Sequence, residues 1–86
     1  MLSKDMEDRL EENEAFLMEP REDYDDCIVG VGYRFNDGPL AVYSMPKVLK
    51  VMEDSGMEPE EAEEFFQVNT LGAWVGEGTP IFVEIL

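Results

Sequence analysis

Residues 56–80 read GMEPEEAEEFFQVNTLGAWVGEGTP, and the fold turns on how that stretch is parsed. Pro59 suits the first position of a helix, where its missing N–H would have no intrahelical partner anyway, so Glu58 becomes the N-cap. Glu61 then stands where a capping-box side chain reaches back, and Met57 and Ala62 stand at the two ends of a hydrophobic staple. Glu is a poorer cap than Ser or Thr, so this helix start leans on the dipole and its acids. Ala62, Phe65 and Phe66 are expected on the buried face, with Glu60, Glu63 and Glu64 in water. The helix is expected to end between Asn69 and Gly72. Gly72 to Gly76 reads as a short strand or an irregular turn, and Gly76 to Pro80 as a loop.

Working outward, Ile81 to Leu86 reads as a final strand, with Ile81, Val83 and Ile85 on one face. Upstream, Cys27 to Phe35 is the clearest strand: Val29, Val31, Tyr33 and Phe35 alternate with Ile28, Gly30, Gly32 and Arg34. Gly30 and Gly32 point to close approach or a bulge rather than a ligand, since no third glycine or helix start completes a dinucleotide fingerprint. Asn36-Asp37-Gly38-Pro39 is a turn into a short strand, Leu40 to Tyr43, which makes a hairpin. Ser44 or Met45 caps a helix with Pro46 in its first turn. Val48, Leu49, Val51 and Met52 form its apolar side, and Gly56 closes it.

At the N-terminus, residues 3 to about 18 read as an amphipathic helix capped by Ser3, with Asp5 and Glu7 in the first turn. Leu2, Met6, Leu10 and Leu17 form a narrow stripe that Asn13 interrupts. Lys4 with Asp8 and Asp5 with Arg9 are spaced for pairing. Pro20 ends the helix, and Arg21 to Asp26 is a polar linker. Such a helix docks on the body, pairs with a second copy, or frays. The expectation is an α+β fold: an N-terminal helix, a β-hairpin, two helices and a final strand, a small sheet with helices packed on one face. Residues 1–26 form an acidic helix and linker, and 27–86 a single small domain. Its core is expected to hold Val29, Val31, Tyr33, Val42, Leu49, Met52, Phe65, Phe66, Trp74, Ile81 and Val83.

Charge is the dominant compositional fact. Twenty-one Asp and Glu face six Lys and Arg with no His, a net charge of −15. Eleven of the acids and three of the bases fall in residues 1–26, and Glu53 to Glu64 carries seven acids and no base. Such a surface repels nucleic acid and anionic membrane and attracts basic proteins. A halophile-type surface has the same composition and needs no partner. No apolar run approaches the roughly 20 residues that span a bilayer. MLSKDMEDRL lacks the apolar region of a signal peptide, so the expected location is the cytoplasm.

Catalytic constellations are weak. Cys27 is the lone cysteine, no His is present to activate it, and its neighbours Asp23, Asp25 and Asp26 would raise its thiol pKa, so a structural role is expected. The same three aspartates lack the glycine and distal Glu of an EF-hand loop. Glu7/Glu11 and Glu60/Glu64 are helical neighbours without the histidine of a di-metal bundle. Lys47, Lys50 and Arg34 cannot offset the overall field to hold nucleic acid. No cofactor, metal or enzymatic activity is expected.

Ile28-x-Gly30-Val31, Arg34-Phe35, Ala41-Val42-Tyr43, Gly56-Met57, Glu60-Glu61-Ala62, Phe65-Phe66, Asn69, Gly72-Ala73-Trp74-Val75-Gly76-Glu77 and Thr79-Pro80 together resemble a family of small uncharacterised proteins of tailed bacteriophages and related mobile elements. The pattern covers roughly residues 27–82 and departs at Glu58, where Ser or Thr is expected. The resemblance implies a phage-type origin within a host cell and brings no catalytic residue or ligand. The function expected is that of a non-enzymatic acidic protein that binds a host or phage protein, one form of which occupies a basic nucleic-acid-binding surface. The alternative is a structural module that dimerises through its first helix. Trp74, Glu77, Thr79, Glu60, Glu63 and Glu64 are the candidate partner-binding residues, although Trp74 also reads as the largest core residue of a small domain.

Overall fold

Ser3 opens the folded chain by accepting a hydrogen bond from the Met6 N–H at 3.2 Å, and α1 (Lys4–Glu12) follows. The computed structural model describes residues 2–34, 37–71 and 78–85. α1 is shorter than the sequence suggests. Asn13 caps it, and the Asn13 amide donates to the Pro39 carbonyl at 3.0 Å, tying the helix end to the sheet. Glu14 then takes a positive φ of 55° and the chain leaves the helical path. Of the three fates open to this helix, docking is the one observed: Leu10 is fully buried in the main core. Lys4 pairs with Asp8 at 3.3 Å, whereas Arg9 turns to the Tyr33 hydroxyl at 2.7 Å instead of Asp5.

The supposed linker contains a short helix, α2 (Arg21–Tyr24), and a single 3₁₀ turn, Asp25–Cys27. Arg21 organises it. Its guanidinium bonds Asp25 at 2.8 Å and also Glu7 on α1, which holds the arginine above its ordinary pKa. The N-terminal segment therefore adds Leu10 and Met18 to the same hydrophobic cluster as the rest of the chain.

The sheet has three strands in the order β1 (Ile28–Arg34), β2 (Asp37–Ser44), β3 (Ile81–Val83). β1 and β2 form the expected antiparallel hairpin, and β3 lies parallel to β2, with Tyr43 opposite Phe82. A parallel neighbour needs a crossover connection. Here it runs through α3 (Met45–Asp54), α4 (Pro59–Phe65) and a π-helical segment, Phe66–Leu71. Ser44 is the α3 cap, accepting from the Lys47 N–H, and Pro46 sits in the first turn. Val48 and Met52, one helical turn apart, are buried; Leu49 and Val51 pack at the side.

The face of the sheet that meets the helices differs from the alternation expected. Ile28 pairs with Tyr43 but Gly30 pairs with Val42, so Val29 is an extra residue on β1. That bulge resets the period of two beyond it. Ile28 is buried and Val29 exposed, and Tyr33 is exposed as well. The helix-facing side carries Ile28, Val31, Ala41, Tyr43 and Phe82. Val42 and Ile81, assigned to the core from sequence, lie on the other face, where both would crowd a side chain at Gly32; both they and Val83 are half-buried. Leu40, opposite Gly32, is buried outside the main cluster. The core centres on three rings: Phe82 stacks on Tyr43 at 5.6 Å and meets Phe66 edge-on at 5.1 Å. Among the described residues no helix is long and apolar enough to cross a membrane.

Candidate functional site

Gly56, at φ +116°, turns the chain out of α3 after the Ser55 cap. Met57 packs against the core cluster that includes buried Ala62, and the Glu61 side chain reaches back to the Glu58 N–H at 3.3 Å. The start of α4 is thus built as its sequence indicates. Its orientation follows from the two residues it buries, Ala62 and Phe66, which are one turn apart. α4 advances about 100° per residue, so Phe65 falls well to one side of that line, and Val68 follows in the π-helical segment. Phe65 is 42 % exposed and Val68 68 % exposed, which corrects the placement of Phe65 in the core.

Glu60, Glu63 and Glu64, three of the six candidate residues, share the exposed side of α4 with Glu61. Among the described residues none of them is in an ion pair; the cations that do pair with acids sit elsewhere, Lys50 on Asp54 at 3.4 Å and Lys4 and Arg21 near the N-terminus. Thr79 is placed differently. It is buried, and its carbonyl accepts from the Arg34 guanidinium at 3.1 Å, so its side chain is not displayed for a partner. Trp74 and Glu77 lie outside the described residues.

Two depressions adjoin this helix. One, about 330 Å³, is lined by Glu61, Glu64, Phe65, Val68 and Asn69. The other, about 260 Å³, is lined chiefly by Phe16, Met18, Glu19, Asn69, Pro80 and Phe82. Asn69 lines both, so the two depressions adjoin at that side chain. The far wall of the second is fixed by a backbone bond from the Phe16 N–H to the Gly78 carbonyl at 2.9 Å. Gly78 packs so closely on this segment that a Cβ there would meet the Glu14 carbonyl oxygen at 2.6 Å. Phe16 and Val68 were not among the residues singled out from sequence. Helical spacing from Ala62 and Phe66 marks Val68; nothing local marks Phe16, which lies beyond the early end of α1.

The thiol lacks this access. Cys27 is buried, and burial raises its thiol pKa, with Lys47 opposing and Asp26 reinforcing the shift. Among the described residues no group of three or more acids and thiols is gathered as a metal ligand set. No known family's sequence model matches the chain, and no curated protein or solved structure shows significant similarity to it.

Proposed function

We propose that this is a non-enzymatic acidic binding module that engages a basic surface on another protein, including a surface that otherwise handles nucleic acid. The observation that carries the reading is the exposed side of α4, where Glu58, Glu60, Glu61, Glu63 and Glu64 stand without a paired cation among the described residues. On a chain of net charge −15 such a face accelerates encounter with a cationic partner and disfavours polyanions. Two exposed apolar side chains beside it supply contacts that a purely solubilising acidic coat would not need. The phage-type origin implied by the residue pattern belongs to the same proposal. Dimerisation through the first helix is less favoured, because Leu10 is already enclosed in the protein's own core.

The test is affinity capture with the full chain and with a variant carrying E60Q, E61Q, E63Q and E64Q. A basic protein retained at about 0.15 M salt, released at about 0.5 M and not retained by the variant is the expected result. Tight capture of an oligonucleotide by the purified chain, or equal retention by the variant, overturns the reading.

A further inference from the structure

The tract that runs from Phe65 and Val68 over Asn69 to the cleft between Phe16 and Phe82 combines exposed apolar side chains with carboxylates. Phe16, Phe65 and Val68 are exposed by 45 %, 42 % and 68 %. Glu61, Glu64 and Glu19 line the same depressions, and no Lys or Arg does. The groove beside Cys27 contains Lys47 and Lys50, and the one beside Pro39 contains Arg9, so each holds its own cations. The groove beside Asp54 is acidic but has Val51 as its single apolar side chain. A second copy of the chain would bring another net charge of −15 to the same place, and an anionic membrane would be repelled for the same reason. The complementary occupant is apolar along one side and cationic along the other.

We propose that this tract docks a short basic amphipathic segment of the partner protein, with an apolar anchor seated between Phe16 and Phe82 and with Lys or Arg side chains paired to Glu61, Glu64 and Glu19. An amphipathic helix lays apolar residues at i, i+3, i+4 and i+7 into such a groove. The π-helical turn contributes Val68 and Asn69 to this surface; π turns interrupt helices frequently at functional sites. The inference rests on the basic-partner reading above and adds the location and the chemistry of the contact.

The probe is a fluorescent peptide of about four helical turns, with Leu at the i, i+3, i+4, i+7 positions and Lys elsewhere, and a scrambled peptide of the same composition. Both are titrated into the full chain at about 0.15 M and 0.5 M salt. The amphipathic peptide is expected to bind at least about tenfold more tightly than the scrambled one. Its binding should fall by about tenfold in F65S/V68N and in E61Q/E64Q, and remain unchanged in E11Q/E12Q, which removes the same charge from exposed positions of α1. Amide shift changes centred on Phe16, Val68, Asn69 and Phe82 would place the peptide on the tract.

Equal binding of the two peptides, or undiminished binding to F65S/V68N with its melting intact, overturns the docking site while leaving a general basic-partner role standing. No binding of either peptide at about 0.15 M salt overturns both. A doubled mass in light scattering that V68N abolishes would make a second copy the occupant and likewise overturn the proposal.

Discussion

The Tyr43 hydroxyl, buried on the middle strand, accepts a hydrogen bond from the Met18 N–H at 2.8 Å. A phenol from the sheet thereby holds the irregular chain between α1 and α2 against the core. Burial pushes this phenol up to about 12, opposed by the Met18 N–H and reinforced by Asp25. An unfolded tyrosine loses its proton near 10, so between about pH 10 and 12 the unfolded chain binds fewer protons and stability falls as pH rises. The contribution is fully present below pH 10 and amounts to on the order of 3 kcal/mol across the window. Burial also raises Tyr24 and Cys27, and both act with the same sign. Urea melts of wild type and Y43F across this range should show a shallower alkaline loss in the variant. An identical slope would mean that the buried phenol does not control it.

Leu10 is the residue of α1 that sits wholly within the core. Leu10→Ala should cost about 2–5 kcal/mol, the range for removing a buried leucine whose cavity collapses only partly. The loss should be independent of protein concentration, since the contact is intramolecular. A midpoint that shifts strongly with concentration in the wild type would instead point to a helix shared between copies.

Three glycines should respond differently to alanine. At Gly56 no atom obstructs a side chain, but φ is +116°, so Gly56→Ala should lose about 1–2 kcal/mol through the backbone alone. At Gly32 a Cβ would meet Val42 Cγ2 at 2.9 Å and Ile81 Cδ1 at 3.0 Å, and the expected loss of about 1 kcal/mol comes from crowding. Gly30 has open space, and Gly30→Ala should be neutral or slightly stabilising. Chemical denaturation of the three variants separates these causes. A marked loss at Gly30 would reveal a neighbour that the described residues do not contain.

What was legible in the sequence was what local chemistry controls. Ser3, Ser44 and Glu58 cap helices where they were expected to, Gly56 ends α3, and the two apolar runs pair as a hairpin, although residues 37–39, expected in its turn, belong to β2. What was missed depends on contacts between distant residues. Asn13 reads as a flaw in a helical stripe, yet its bond to Pro39 is where the helix stops. Both faces of the sheet are apolar, so alternation could not say which one meets the helices; the bulge at Val29 and the Tyr43–Phe82–Phe66 rings decide it. Of the candidate surface, the glutamates of α4 were readable from helical spacing, whereas the tract beside them needed Phe16 and Asn69 brought together by the fold.

Phe65 and Phe66 are adjacent and chemically identical, and the structure assigns them opposite consequences. Phe66 is 1 % exposed and packs edge-on against Phe82, so Phe66→Ala should lose about 3–5 kcal/mol and release the π-helical segment from the sheet. Phe65 is substantially exposed beside Glu61 and Val68, so Phe65→Ser should lose less than about 1 kcal/mol. Thermal melts of the two variants, read alongside titration with the amphipathic Leu/Lys peptide, distinguish support from display. Phe65→Ser should melt near wild type and bind the peptide weakly. If Phe65→Ser instead unfolds as readily as Phe66→Ala, the exposed tract is part of the core, and an anchor on α4 has no physical basis.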